Sequence, residues 1–95
     1  MDFEWDEDKN RANRAKHGID FDEAALIFRG ITLTRIDDRW YYGETREISI
    51  GQLPDQVIVV VVHTDRNGVT RLISARLANR AERKSYHDYC QKIAQ

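Results

Sequence analysis

The sequence has few of the residues that cross-link or break a chain: its 95 residues include one cysteine, one proline and five glycines. The single cysteine, Cys90, cannot form an internal disulfide, which favours a reducing compartment. No apolar run approaches the ~18 residues of a membrane span, and the acidic first residues lack the basic and apolar regions of a secretory signal. We therefore expect a cytoplasmic protein that makes no membrane contact and forms a single domain over residues 1–95.

Charge is abundant but nearly balanced, with 33% charged residues and a net charge of −1. Basic residues nevertheless cluster in two segments, one between Lys9 and Lys16 and one between Arg71 and Lys84. A local basic cluster can bind phosphate whatever the total charge. Charge alone still favours the simpler interpretation, in which these segments are solvated helix faces.

The spacing of apolar residues predicts helices at both ends of the chain. The first begins after the N-cap Asp6 and ends at Gly18. A short second helix opens with a capping box formed by Asp20 and Glu23. A similar box at residues 79–82 begins the last helix, which runs to about residue 94.

Four segments bounded by turn residues read as strands, and short connections favour an antiparallel meander. They are Ile31–Asp37, Glu44–Ile50, Val57–Thr64 and Val69–Leu77. Phe3–Trp5 can add a short strand. The fold class is therefore α+β. The apolar run Val57–Val62 does not alternate, which predicts burial on both faces of the sheet. Three short helices can cover one face well and the other poorly, so a partner chain or a second copy of this chain can cover the rest.

Metal and cofactor motifs have no support in the sequence. His87 and Cys90 are spaced i, i+3, but no further thiol or clear third ligand accompanies them, so we expect no metal site and no cofactor. His63 ends a buried strand and is expected to be structural. A glycine-rich phosphate loop and a nucleophile elbow are both missing from the sequence, so nucleotide hydrolysis and acyl transfer are not supported.

The best candidate site consists of polar residues at strand ends and turns, which meet at the rim of a sheet. Glu44 and Arg46 share one face of their strand. Arg66 lies in the turn after the next strand, and Arg76 closes the strand after that. Lys16-His17 ends the first helix. Each residue taken singly also suits an ordinary surface ion pair or a helix-dipole contact.

An acid–base site rich in arginine and lysine, without a metal, suits RNA cleavage by internal attack. A base removes the proton of a ribose 2′-OH, the oxygen attacks the adjacent phosphate, and guanidinium groups stabilise the charge that develops. This reaction needs no external nucleophile, and its dependence on the 2′-OH excludes DNA as a substrate.

Short motifs and single residues that carry a family signature are spread over nearly the whole chain. In order, they are Phe3-x-Trp5-Asp6, Lys9, Asn13, Lys16-His17-Gly18, Phe21, Glu23-Ala24, Phe28, Gly43-Glu44-x-Arg46, Thr64, Arg66, Arg71-x-Ile73-Ser74-Ala75-Arg76, Ala78, Glu82-Arg83 and Tyr86. In these motifs the sequence resembles the BrnT toxins of bacterial type II toxin–antitoxin systems. Only residues 29–42 and the last few positions carry no signature.

The resemblance implies a RelE-like fold and a ribonuclease that arrests translation. It also implies neutralisation by a cognate ribbon-helix-helix antitoxin, similar to BrnA. The toxin–antitoxin complex is expected to repress its own operon, so that DNA is contacted only through that complex. A homodimer of the toxin within the complex is compatible with this arrangement.

The rim geometry assigns a catalytic group and a binding group. The catalytic group is Lys16, His17, Glu44, Arg46, Arg66 and Arg76. Within it Glu44 or His17 serves as base or acid, Lys16 and Arg46 orient the phosphate, and the other two arginines stabilise the transition state. The residues that guide the RNA backbone are Lys9, Asn13 and Arg71.

Two other functions compete with this hypothesis. A non-catalytic nucleic-acid-binding module would explain the basic clusters, but the aromatic residues Trp40, Tyr41 and Tyr42 lie in a loop instead of forming a strand-borne stacking platform. A protein-interaction module would use the same arginines as ion-pair partners. RNA cleavage to a 2′,3′-cyclic end distinguishes the enzyme from both.

Overall fold

The computed structural model describes residues 1–94, which form helices and strands in the predicted order. The elements are β1 (Asp2–Glu4), α1 (Glu7–His17), α2 (Phe21–Ala24), a 3₁₀ helix (Ala25–Arg29), β2 (Thr32–Asp37), β3 (Arg46–Gln52), β4 (Ile58–Arg66), β5 (Val69–Leu77) and α3 (Arg80–Ala94). The α+β class is confirmed. No helix in this part of the chain is long and apolar enough to cross a membrane.

The sheet has the strand order β1-β5-β4-β3-β2. Strands β2 to β5 form the predicted antiparallel meander, whereas β1 pairs parallel with β5 at residues 69–71. The predicted four-stranded antiparallel meander is therefore extended to a five-stranded mixed sheet. The short N-terminal strand expected at residues 3–5 is present at residues 2–4, and its pairing is parallel. Several strand boundaries also differ by one or two residues. Two of these changes concern the candidate site: Glu44 precedes β3, and Arg66 is the last residue of β4. Asn67 and Gly68 alone make the turn, with φ of 55° and 83°.

The end of α1 is fixed by its caps and by one aspartate beyond it. The Asp6 carboxylate accepts backbone N–H bonds at the first turn, and Gly18 ends the helix with φ 74°, both as predicted. The predicted capping box of α2 is wrong. The carboxylate of Asp20 instead accepts bonds from Asn10 Nδ2 and Arg14 Nη1, each at 2.7 Å. It ties α2 to α1.

The central strand β4 is buried on both faces over residues 58–61, as the unbroken apolar run predicts. Val59 and Val61 pack with Phe21 and Ile27 on one side, called here the α1 face. Alternate β4 residues pack with Tyr86 on the opposite side, called the α3 face. The two helical layers are thus placed by one strand.

Helix α3 covers only part of its face. Tyr86 is buried and donates a hydrogen bond to the Ile31 carbonyl at 2.8 Å, and burial raises the pKa of its phenol to about 12. Beside the helix lies an open cavity of about 330 Å³, lined by Leu33, Arg35, Ile48, Ile50, Asn79, Ala81, Glu82 and Ser85. Polar side chains at the far ends of β3 and β4 are therefore exposed on the α3 face.

A buried asparagine attaches α1 to the side of β5 that β1 does not reach. Asn13 Nδ2 donates to the Ala75 carbonyl at 2.8 Å, and Asn13 Oδ1 accepts from the Ala75 N–H at 3.1 Å. Nδ2 also bonds the Ile19 carbonyl at 3.1 Å. One amide thus satisfies both backbone groups of Ala75 on the edge of β5 that β1 does not cover.

Replacement of this amide should destabilise the protein. Asn13→Ala leaves the buried N–H and carbonyl of Ala75 without partners, and we expect a loss of about 2–3 kcal/mol in the free energy of unfolding. Urea denaturation measures the change. The control is Arg11→Ala on the same helix, because Arg11 is exposed and its one ion pair within residues 1–94 is with Asp8. Equal stability of the two variants would contradict this role of Asn13.

A row of hydrogen bonds crosses three strands on the α1 face. His63 Nε2 and Ser49 Oγ lie 2.7 Å apart, and Ser49 Oγ lies 2.7 Å from Thr34 Oγ1. The imidazole packs edge-on against Phe28 with 4.9 Å between ring centroids. Burial lowers the pKa of His63, although Glu47 partly opposes this shift. The buried, bonded ring agrees with the structural role expected for it.

His63 should make stability depend on pH. The unfolded imidazole gains its proton near pH 6.5, and the buried one only at lower pH. The contribution to stability is therefore complete above about pH 6.5 and is lost as the pH falls through the folded pKa. His63→Gln should remove this contribution to the pH dependence of the free energy of unfolding. Denaturation curves recorded between about pH 5 and pH 7, where histidine titrates, measure the change. The control variant His87→Gln, which changes an exposed histidine, should keep the pH dependence of the wild-type protein. If the free energy of unfolding varies with pH in the same way in both variants, His63 is not its source.

Candidate functional site

A carboxylate lies between two guanidinium groups at the far ends of β3 and β4. Arg66 Nη2 donates to Glu44 Oε1 at 2.9 Å, and Arg46 Nε donates to Glu44 Oε2 at 3.4 Å. Because β3 and β4 are antiparallel neighbours, the start of one strand and the end of the other bring these residues together. The side chains are 25% exposed for Glu44, 23% for Arg46 and 50% for Arg66. We call these three residues the Glu44 cluster.

The charges of the Glu44 cluster depend on one another. Arg66 lowers the pKa of Glu44, and Arg46 adds to the effect. The carboxylate is therefore ionised at neutral pH and able to accept a proton. The Arg46 guanidinium also lies over the ring of Tyr42, with 4.0 Å from Cζ to the ring centroid, which fixes its direction.

Asp37 anchors the loop that carries this cluster. Its buried carboxylate accepts two bonds of 2.8 Å from the Nε and Nη2 atoms of Arg39, and a third of 3.2 Å from the Tyr42 hydroxyl. The ion pair with Arg39 holds the pKa of Asp37 well below its usual range. The β2–β3 loop, residues 38–45, is thus attached to the end of β2 on both sides of its tip.

Arg71 extends the site across the sheet. It lies opposite Thr64 in the β4–β5 register, and Thr64 in turn bonds the Thr45 carbonyl at 2.6 Å. With neighbouring strands ~4.8 Å apart, the backbones of Arg71 and Arg46 are about 10 Å from each other. Arg71 Nη1 lies 3.7 Å from the Glu4 carboxylate on β1. Arg71 therefore lies on the same face of the sheet as Arg46, two strands away.

Arg76 lies on the same face but in a different place. It makes two bonds of 2.8 and 2.7 Å to the Glu82 carboxylate at the start of α3, and this pairing raises the pKa of Arg76. Arg76 faces Val60, six residues along β4 from Arg66, a separation of ~20 Å. In the structure Arg76 pairs with Glu82, whereas Arg66 pairs with Glu44.

The residues predicted on α1 form a third place. Lys9, Lys16 and His17 line a shallow hollow of about 250 Å³ with Ile73 and Ser74 of β5. No hydrogen bond or ion pair within residues 1–94 joins this hollow to the Glu44 cluster. Asn13 belongs to the hollow only by its position, since its amide is bonded to the backbone. The structure therefore divides the predicted single pocket into three places.

Sequence reasoning missed the residues that support the cluster, namely Asp37, Arg39 and Tyr42. The available signal was an aspartate at a strand end followed two residues later by an arginine and then by aromatics. No group of three histidine, cysteine, aspartate or glutamate side chains within residues 1–94 is arranged to hold a metal ion.

Comparisons with known proteins agree on one family. No curated protein matches the sequence. The fold matches the crystal structure, at 1.1 Å resolution, of the Brucella abortus ribonuclease toxin BrnT, with a TM-score of 0.63 and 25% sequence identity over 84% of this chain and 99% of that one. Residues 5–82 match the family described as the ribonuclease toxin BrnT of type II toxin–antitoxin systems. The chain therefore belongs to the BrnT family of ribonuclease toxins.

Proposed function

We propose that this toxin is an endoribonuclease that cleaves RNA by attack of a ribose 2′-OH, without a metal ion, and that Glu44 is its general base. The observation that supports the proposal is the Glu44 carboxylate held between Arg46 and Arg66 at 3.4 and 2.9 Å. A proton acceptor and two phosphate-binding cations are thus within one nucleotide of each other. Cleavage of this kind stops translation by destroying the message.

The proposed reaction needs only these groups. Glu44 takes the proton from the 2′-OH, the 2′-oxygen forms a bond to phosphorus, and the bond from phosphorus to the 5′-oxygen breaks. Arg46 and Arg66 stabilise the negative charge on the phosphoryl oxygens. The products are a 2′,3′-cyclic phosphate and a 5′-hydroxyl, whose oxygen takes its proton from water.

Substrate binding would itself activate the base. A phosphate group competes with Glu44 for the guanidinium of Arg66, and bidentate arginine–phosphate pairing is strong. Once Arg66 turns to the phosphate, the interaction that holds down the pKa of Glu44 weakens. The carboxylate becomes a stronger base only when RNA is present.

The remaining predicted residues are proposed to hold the RNA on either side of the scissile link. Arg71 lies nearest, about 10 Å from Arg46. Lys9, Lys16 and His17 would contact the backbone at the edge of β5, and Arg76 would contact it beside α3. Asn13 is left out of this group because its amide is buried and bonded to Ala75.

An antitoxin is proposed to neutralise the toxin by covering the open half of the α3 face. The 330 Å³ cavity beside α3 offers it apolar side chains, including Leu33 and Ile48. A ribbon-helix-helix antitoxin in this position would block RNA and leave its DNA-binding surface free to repress the operon. The cytoplasmic location and a toxin homodimer within the complex remain predictions.

Loss of the base should abolish most of the cleavage. We expect Glu44→Gln to lower kcat by about 10²–10⁴-fold with the fold intact. In Arg66→Gln the acidic limb of the pH–rate profile should move to higher pH, because the guanidinium that lowers the pKa of Glu44 is gone. Cleavage of a labelled single-stranded RNA, with identification of the 2′,3′-cyclic end, measures both effects.

The matched control for this test is Asp88→Asn, which makes the same carboxylate-to-amide change in an exposed ion pair of α3 and should leave kcat unchanged. Full activity of Glu44→Gln would exclude Glu44 as the base, and His17→Gln would then be measured. RNA binding without any cleavage by the wild-type protein would favour the non-catalytic binding module.

Residues outside the Glu44 cluster should act on binding instead of chemistry. Because Arg76 is ~20 Å from Arg66, we expect Arg76→Ala to raise KM roughly tenfold with little change in kcat. Lys16→Ala should behave in the same way, whereas Arg46→Ala should lower kcat. Growth of cells that express each variant without antitoxin gives a second readout. A kcat defect in Arg76→Ala equal to that of Arg46→Ala would contradict this division.

A further inference from the structure

Two adjacent aromatic side chains project from the tip of the β2–β3 loop. Trp40 is 74% exposed and Tyr41 is 98% exposed. Exposed loop tips usually carry small or polar residues, because a solvated aromatic ring gains no burial energy. Neither ring has a packing role that would explain its presence at this position.

The residues on both sides of these rings are anchored through their side chains. Arg39, just before Trp40, and Tyr42, just after Tyr41, both bond the buried carboxylate of Asp37. The two exposed residues are thus fixed at both ends to the same strand end. A binding group fixed in this way loses less conformational entropy when it engages a ligand.

The loop tip also adjoins the Glu44 cluster. The Arg46 guanidinium lies over the ring of Tyr42, and Glu44 follows Tyr41 by three residues. At ~3.6 Å per residue, the Cα atoms of Trp40 and Glu44 are at most about 15 Å apart. A nucleotide chain held by Arg46 could therefore place its neighbouring bases beside the two rings.

We propose that Trp40 and Tyr41 form a stacking platform for unpaired nucleobases next to the scissile phosphate. This inference rests on the proposed function and gives its substrate class, single-stranded RNA. Aromatic rings beside guanidinium groups are the usual means by which proteins hold unpaired bases and the adjoining phosphates. Bases in an A-form duplex are stacked on one another and cannot reach such a platform. The platform therefore selects unpaired over duplex RNA.

Binding to uncleavable oligonucleotides tests the platform separately from catalysis. Single-stranded 2′-O-methyl RNA has no free 2′-OH, and its affinity can be measured by fluorescence anisotropy. We expect the double variant Trp40→Ala with Tyr41→Ala to bind it at least about tenfold more weakly. For an abasic strand or a duplex of equal length, the affinity of this variant should equal that of the wild-type protein, because those ligands offer no unpaired base to stack on the two rings.

Two controls and three outcomes make the test decisive. Ile93→Ala removes another exposed apolar side chain, 49% exposed on α3, and should leave all affinities unchanged; conservative Trp40→Phe should retain most of the binding. Unchanged affinity in the double variant would overturn the proposal. Equal loss for all three ligands would also overturn it, because a merely structural loop has that effect. Loss of antitoxin binding with RNA binding intact would assign the rings to a protein interface and overturn it as well.

Stacking can also be observed directly. The sequence has two tryptophans, so Trp5→Phe leaves Trp40 as the only one. Its fluorescence should be quenched by the single-stranded 2′-O-methyl RNA and not by the abasic strand; equal quenching by both contradicts stacking. If the wild-type protein shows this quenching but does not cleave unmodified RNA, the result supports base stacking on Trp40 and Tyr41 and contradicts the proposed ribonuclease activity.

Discussion

The burial of β4 on both faces is the constraint on which the rest of the structure depends. The run Ile58–Val61 requires an apolar layer on each side of the sheet. The chain supplies an apolar layer on the α1 face from α2, the 3₁₀ helix and neighbouring residues such as Ile19, and a partial one on the α3 face from α3. The uncovered half of the α3 face is where charged side chains at the ends of β3 and β4 can remain in contact with solvent. The site thus exists because the second layer is short.

On that uncovered half, antiparallel pairing decides which charges meet. Residues far apart in sequence, such as Glu44 and Arg66, become neighbours because β3 begins where β4 ends. The same pairing keeps Arg76 away, since it lies opposite Val60 near the covered half. Asp37 completes the arrangement, as its buried carboxylate fixes Arg39 and Tyr42 and so directs Arg46.

The sequence predicted local features well and their assembly less well. The Asp6 and Gly18 caps and the box at residues 79–82 depend on neighbouring residues alone, and each is present. The box at residues 20–23 failed because Asp20 has long-range partners in Asn10 and Arg14, which compete with a local bond. The parallel pairing of β1 and the separation of Arg76 from Arg66 required the sheet register, which composition and spacing do not contain.

Under the proposed function, the arginines that would bind RNA are already paired with carboxylates of this chain, whose net charge is −1. Arg66, Arg71 and Arg76 each face a carboxylate of the same chain, from Glu44, Glu4 and Glu82. A phosphate that binds any of them must replace that carboxylate, so binding exchanges one anion for another and gains little from bulk attraction. Selectivity then depends on geometry: only a ligand that meets several of these arginines, and whose bases find Trp40 and Tyr41, recovers the lost ion pairs. A nearly neutral toxin can in this way avoid indiscriminate binding to nucleic acid.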